Sequence, residues 1–222
     1  EPQQGRESSR VGEQGIPVNI FAGGGFSDFF VAQGLWSADQ IDASYDGSPA
    51  RFIAEGDLAQ QGFASAEPYN YEFVFEEYGK APRFQLLHDA GFQIYSQALG
   101  VKPTELENLR PCLEQFVPIA QQAAVDFAAS PDRANAIIID AVAQYDSFWT
   151  YDEGVANYAV ETMNTLGLHG NGGDGIVGNM DESRFQTIIE DTRAIGLDAP
   201  DDLVASDMFT NEFIDTSIGF PG

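Results

Sequence analysis

Positive charge is scarce in this chain of 222 residues. Ten Lys and Arg stand against 35 Asp and Glu, for a net charge of -25 and a pI near 4.1. Such a surface repels the phosphates of nucleic acids, so no nucleic-acid partner is expected. It reads first as a strongly solvated acidic exterior, and second as a field that draws cationic ligands. Cysteine is scarcer still: Cys112 stands alone, so no intrachain disulfide can form. It falls on the apolar face of a helical pattern and reads as a small core residue. His88 and His169 are the two histidines. Neither belongs to a metal-ligand spacing, and no Ser/His/Asp or Cys/His arrangement stands out. No metal and no cofactor are therefore expected. Mean hydropathy is -0.21, and no apolar run approaches the roughly 20 residues a membrane-spanning helix needs. The chain opens Glu1-Pro2-Gln3, without Met and without a basic-apolar leader. That start reads as a removed signal or as sequence lost upstream.

What is present alternates. Residues 1–14 are polar, without apolar period, and read as a linker or mobile end. Short apolar strands are then expected at 17–22, 41–45 and 60–66, with a fourth strand-like segment at 83–88. Between them, Gly23-Gly24-Gly25 turns into a helix carrying Phe29, Phe30, Val31 and Leu35. Ser48 is placed to cap a short helix with Pro49 as its first residue, and a further helix is expected over 68–78. Such alternation argues βαβ units and a mainly parallel sheet. Residues 92–101 read as one more extended segment. Beyond them the pattern is helical, with Thr104/Glu107 and Thr150/Glu153 as capping boxes. Leu106, Leu109, Leu113, Phe116, Val117, Ala120, Ala124 and Phe127 follow helical spacing. Ser130-Pro131 opens another helix, and 181–195 reads as the last. Phe148-Trp149-Thr150-Tyr151 reads as an apolar anchor under the following helix, or as a pocket wall. The loop over 169–181 superficially suggests a calcium loop, but aligning Gly175 with the required glycine puts Gly170 at the first ligand position. These helices have apolar faces with little sheet to cover, so part of their sheet is expected in preceding sequence or in another chain.

The informative stretch is Gln61-Gly62-Phe63-Ala64-Ser65-Ala66-Glu67-Pro68-Tyr69. Pro68 suits the first turn of a helix and pushes Glu67 towards an extended conformation. Glu67 is thus expected where a strand runs into a helix, the edge at which open α/β sheets bind ligands. Parallel strands would bring three such junctions to one edge: Gly23 to Ser27, Asp46 to Pro49, and Ser65 to Pro68. Helix starts offer free N–H groups, and Gly24 and Gly25 permit close backbone approach. The triple glycine lacks the spacing of a dinucleotide or phosphate-binding loop, so nucleotide binding is rejected. Gly24, Gly25, Phe26, Ser27, Tyr45, Ser65, Glu67 and Tyr69 are the candidate ligand contacts. A carboxylate among aromatics suits a protonated amine or a ring N–H. The plainer alternatives are a tight glycine turn and an exposed carboxylate that complements a helix dipole.

That stretch resembles the strand-helix signature of solute-binding proteins of ABC importers, of the nitrate, sulfonate, taurine and thiamine-precursor type. The order from Phe26 through Asp46-Gly47-Ser48-Pro49-Ala50-Arg51-Phe52 to Glu67, and the ending Asn211-Glu212-Phe213-Ile214, is similar to the same group. The resemblance implies an α/β fold of the type II periplasmic-binding-protein kind, in two lobes. Residues 15–91 would form lobe two, and 92–222 a crossover strand and the helical C-terminal part of lobe one. The strand-rich beginning of lobe one has no counterpart here. Implied with it are an extracytoplasmic location, in a periplasm or lipid-anchored at a cell surface, capture of a small polar organic molecule, and delivery to a membrane permease. The complete protein is expected to be a monomer and not an enzyme, with hinges near 12–16 and 90–94. Two alternatives remain open: a pyrimidine-precursor enzyme using His88, and a non-transport ligand sensor on the same fold.

Overall fold

The computed structural model describes residues 6–145 and 150–221. The chain is mixed α/β, about 48% helical, with a three-stranded parallel sheet. It divides into two compact units, one of 1–94 with 183–205 and one of 95–182 with 206–222. Residues 183–205 thus join the first unit, where sequence reading placed them with the helical remainder.

In the first unit, helix α1 (Arg6–Glu13) stands where a mobile end was expected. Tertiary contacts order it despite its polar composition. Ser8 is buried, its carbonyl accepts from Trp36 Nε1 at 3.1 Å, and its N–H donates to Gln85 Oε1 at 2.8 Å. Strand β1 (Val18–Asn19) leads into helix α2 (Gly25–Ala32), and β2 (Ile41–Asp42) into α3 (Ala50–Ala54). Strand β3 (Ala59–Gln60) leads into α4 (Glu67–Tyr69), which continues as a wider π turn over Asn70–Val74. The expected helix over 68–78 is therefore shorter and looser. Pro49 is the cap rather than the first helical residue of α3. Ser48 still contributes, its Oγ accepting from the Ala50 N–H at 3.3 Å.

The sheet order is β2-β1-β3, all parallel, with Val18 opposite Ile41 on one side and Ala59 on the other. β1 is central and fully buried because it is covered on both faces, as parallel strands require. Val18, Ile20, Phe26, Phe29 and Phe30 form the core cluster, with Trp36 and Phe92 against it. Its rings meet tilted or edge-on, Phe30 and Trp36 at 4.7 Å and Phe29 and Phe92 at 5.5 Å. Such geometry adds about 0.5–1.5 kcal/mol per pair beyond burial.

The strands are shorter than sequence reading expected, and residues 83–88 and 92–101 form none. Pro82 lacks an N–H for a ladder, and Gln85 is bound to α1 rather than to β3. Phe92 instead packs its partly buried ring against the core, while Arg184 donates to the carbonyls of Gln93 and Ile94. Arg184 lies on α8 (Glu182–Ala194).

The second unit holds α5 (Leu106–Ala129), α6 (Asp132–Tyr145) and α7 (Glu153–Thr165). The two expected capping boxes give way to other starts. α5 follows a 3-10 turn over Pro103–Glu105 without a side-chain cap. α7 is capped by Asp152, whose Oδ1 accepts from the Val155 N–H at 2.9 Å. Of the apolar positions expected inward on α5, Leu113 is buried, whereas Leu109 and Phe116 are exposed. Cys112 is exposed as well, against its reading as a core residue. Gln121 is the polar centre of this unit. Its amide donates to the carbonyls of Val177 and Asp215 and accepts from the Asp215 N–H. The loop before α8 is tied to the C-terminal tail by Asn171, which donates to the Phe220 carbonyl and accepts from its N–H. Phe148 and Trp149, read as an anchor or pocket wall, lie outside the described residues.

Candidate functional site

The carboxyl ends of all three strands meet at one edge of the first unit, and side chains stitch them together. Asn19, 2% exposed, donates through Nδ2 to the Asp42 carbonyl and to Ser44 Oγ. The Tyr45 N–H donates to the Ile20 carbonyl at 3.1 Å, extending the β1–β2 pairing. Gln61 Oε1 accepts from the Phe21 N–H at 3.0 Å and joins the ends of β1 and β3. A 2-1-3 parallel order places the topological switch between β1 and β3, where doubly wound sheets hold their ligands. The loops from Phe21 and from Gln61 leave the sheet on either side of that switch.

Gly23 turns the first loop with φ of +83°, a region that side chains with a Cβ seldom enter. Gly24 caps α2, and Gly25 begins it with open space where a Cβ would stand. Ser27 is buried, and its hydroxyl donates to the Gly24 carbonyl at 2.8 Å. That bond holds the glycine turn rather than facing outward. Phe26 is 6% exposed and belongs to the core cluster. Of the four residues expected here, the two glycines are thus at the surface of the loop and the other two support it.

Glu67 folds back on its own loop. Its Oε2 accepts from the Phe63 N–H at 2.7 Å. A Cβ on Gly62 would lie 3.2 Å from the Glu67 carboxyl carbon, so a side chain there would crowd the carboxyl. Burial raises the Glu67 pKa above the usual carboxylate value, and hydrogen bonds from backbone N–H groups only partly offset this. A carboxylate can accept about four hydrogen bonds, so the Phe63 contact leaves it acceptor capacity. Tyr45, also buried, packs against Phe21 at 4.5 Å. Its phenol is pushed up to about 12, first by burial and then by the nearby charges of Glu67 and Asp46. Tyr45 and Glu67 are therefore brought near each other from two different strand ends. Tyr69 packs tilted against Phe73 of the following π turn at 5.0 Å, and Ser65 lies half-buried in the turn before α4.

Sequence reasoning did not single out Gln60, Gln61 or Asn19. Polar residues at the ends of short buried strands were the available signal, because buried amides must find partners. Tyr71 is 3% exposed and accepts from Gln60 Nε2 at 2.9 Å. Its phenol is held well above the usual range by burial, against the opposing bond from Gln60. His88 is exposed in the turn before Gly91. Among the described residues, no cluster of three His, Cys, Asp or Glu could hold a metal ion. No helix among them is long and apolar enough to cross a membrane. No protein-family model, curated protein or solved structure matches the chain.

Proposed function

We propose that the chain is a solute-binding protein of type II periplasmic-binding-protein architecture, which captures a small polar organic molecule outside the cytoplasm and delivers it to an ABC importer permease. The observation that carries this reading is the approach of Glu67, after β3, to Tyr45, after β2, at the carboxyl edge of the parallel sheet. A half-buried carboxylate beside aromatic rings selects ligands that donate: an amine, a ring N–H or the ammonium of a zwitterionic sulfonate. Free N–H groups at the start of α2 supply a place for a polar or anionic substituent of the same molecule. Small oxyanions such as nitrate lack a donor and would meet Glu67 unfavourably.

The test is a thermal-shift panel on the purified protein, confirmed by native mass spectrometry. Nitrogen heterocycles, amines and zwitterionic sulfonates are expected to raise the melting temperature in proportion to the logarithm of their concentration. Stabilisation by nitrate or sulfate alone, with none from donor-bearing compounds, would contradict this ligand class.

A further inference from the structure

The cavity that Glu67 lines continues from the carboxyl end of β3 to residues 80–84. Its volume is about 650 Å³, within the range of small-molecule sites. It takes in neither Gly24 nor Gly25, so a ligand seated there meets the 80–84 segment rather than the α2 turn. Charge on its lining departs from that of the chain. Ten cations stand against 35 acidic residues overall, yet Arg10, Lys80 and Arg83 here balance Glu7, Asp57 and Glu67. Arg10 is engaged with Gln14 Oε1 at 3.3 Å, while Lys80 and Arg83 are exposed and form no ion pair among the described residues. The segment that carries them is held in place. Pro82 fixes the backbone between them, Gln85 accepts from the Ser8 N–H, and Leu87 packs against the core cluster. Lys80 Nζ lies 5.0 Å from the centre of the Tyr78 ring. Phe63 and Phe84, 54% and 47% exposed, add two rings with accessible surface to the same lining.

We propose that Lys80 and Arg83 hold the anionic end of the ligand captured at Glu67. The ligand class is then an aromatic zwitterion, with an ammonium donating to Glu67, a ring against Phe63 and Phe84, and a carboxylate or sulfonate on the two cations. A net-neutral ligand with separated charges matches a lining whose three cations and three carboxylates cancel. Guanidinium and ammonium groups give an anion charge-assisted hydrogen bonds, stronger than those of neutral donors. Because the segment is already braced, little ordering cost falls on binding. This ligand class rests on the capture of a donor by Glu67, to which it adds the opposite pole.

The probe is para-aminomethylbenzoate, compared with para-methylbenzylamine, which lacks the anion, and para-ethylbenzoate, which lacks the ammonium. Dissociation constants are read by ligand-observed NMR on the full chain at one low salt concentration, because screening weakens such contacts. The zwitterion is expected to bind at about 1 mM or tighter, as a fragment of its size can, and about tenfold more tightly than either half. The double variant Lys80→Gln/Arg83→Gln is expected to weaken the zwitterion about tenfold and to leave para-methylbenzylamine bound as tightly or more tightly. Lys102→Gln/Arg133→Gln removes two exposed cations from outside the lining. This pair controls for overall charge and is expected to leave every affinity unchanged. Circular dichroism melts confirm that each variant is folded. Absence of zwitterion binding to the folded wild type overturns the proposal, as does binding no tighter than that of para-methylbenzylamine. An equal loss in the control pair also overturns it, by tracing the effect to the field of the whole chain. Zwitterion affinity that falls in Glu67→Gln but not in the Lys80/Arg83 variant would uphold capture at Glu67 while removing the cationic wall. Affinity that falls in the Lys80/Arg83 variant but not in Glu67→Gln would uphold the wall while removing Glu67 from the site.

Discussion

Glu67 concentrates the residue-scale chemistry. Its carboxyl is raised above its unfolded value by burial, so the folded state binds a proton more readily than the unfolded chain. Stability from this group is therefore greatest at low pH and falls as pH rises through the folded pKa. Glu67→Gln keeps an acceptor for the Phe63 N–H and removes the buried charge. We expect the variant to melt at a higher temperature than wild type at pH 7, with the difference shrinking as pH falls towards 4.5. A difference that is constant across that range, in parallel melts, would show that burial of the charge is not what the substitution relieves. The position of this residue at the start of α4 was legible in sequence from Pro68, which fixes the junction. Its fold-back onto Phe63 was not, since that contact forms only once the loop before α4 takes its shape.

The elements repeat that division between local and tertiary signals. Helices α2, α5, α6, α7 and α8 stand close to where periodicity and Pro or Gly breakers put them, because those signals are local. Strand order was legible only as a class, parallel and alternating with helices. The fourth strand failed at 83–88 because pairing depends on partners that sequence does not show, and there Gln85 is bound to Ser8 of α1. Residues 1–14 misled for the same reason: polar composition hides a helix that tertiary contacts hold. Caps were read from box patterns, yet the side chain that caps α7 is Asp152, one residue before Glu153. Asp152→Ala should cost about 1 kcal/mol, as loss of an N-cap does, whereas Thr150→Ala should change stability by less. Denaturant melts of both variants check this. Equal losses would restore the capping box.

The whole molecule carries a net charge of -25, and its ion pairs include those of Arg51 and Arg110. Self-repulsion on that scale is screened by salt, with a Debye length of about 10 Å at 0.1 M and 3 Å at 1 M. Raising sodium chloride from 0.05 to 0.5 M is expected to raise the melting temperature by several degrees in calorimetry. An unchanged or lower value would mean that the few ion pairs outweigh the repulsion. The same charge bears on ligand choice, because a strongly acidic exterior favours approach of cations and zwitterions over free anions. Composition made this visible without any structure. The stitching of three strand ends by Asn19, Gln61 and Tyr45 was not visible, because side chains 20 to 40 residues apart meet only once the sheet forms. Capture at that edge is the central claim, and its most direct test is the dissociation constant of the tightest panel ligand for wild type and Glu67→Gln, measured calorimetrically at pH 7. A loss of tenfold or more, with the variant still folded, is the predicted result. Unchanged affinity would contradict the account.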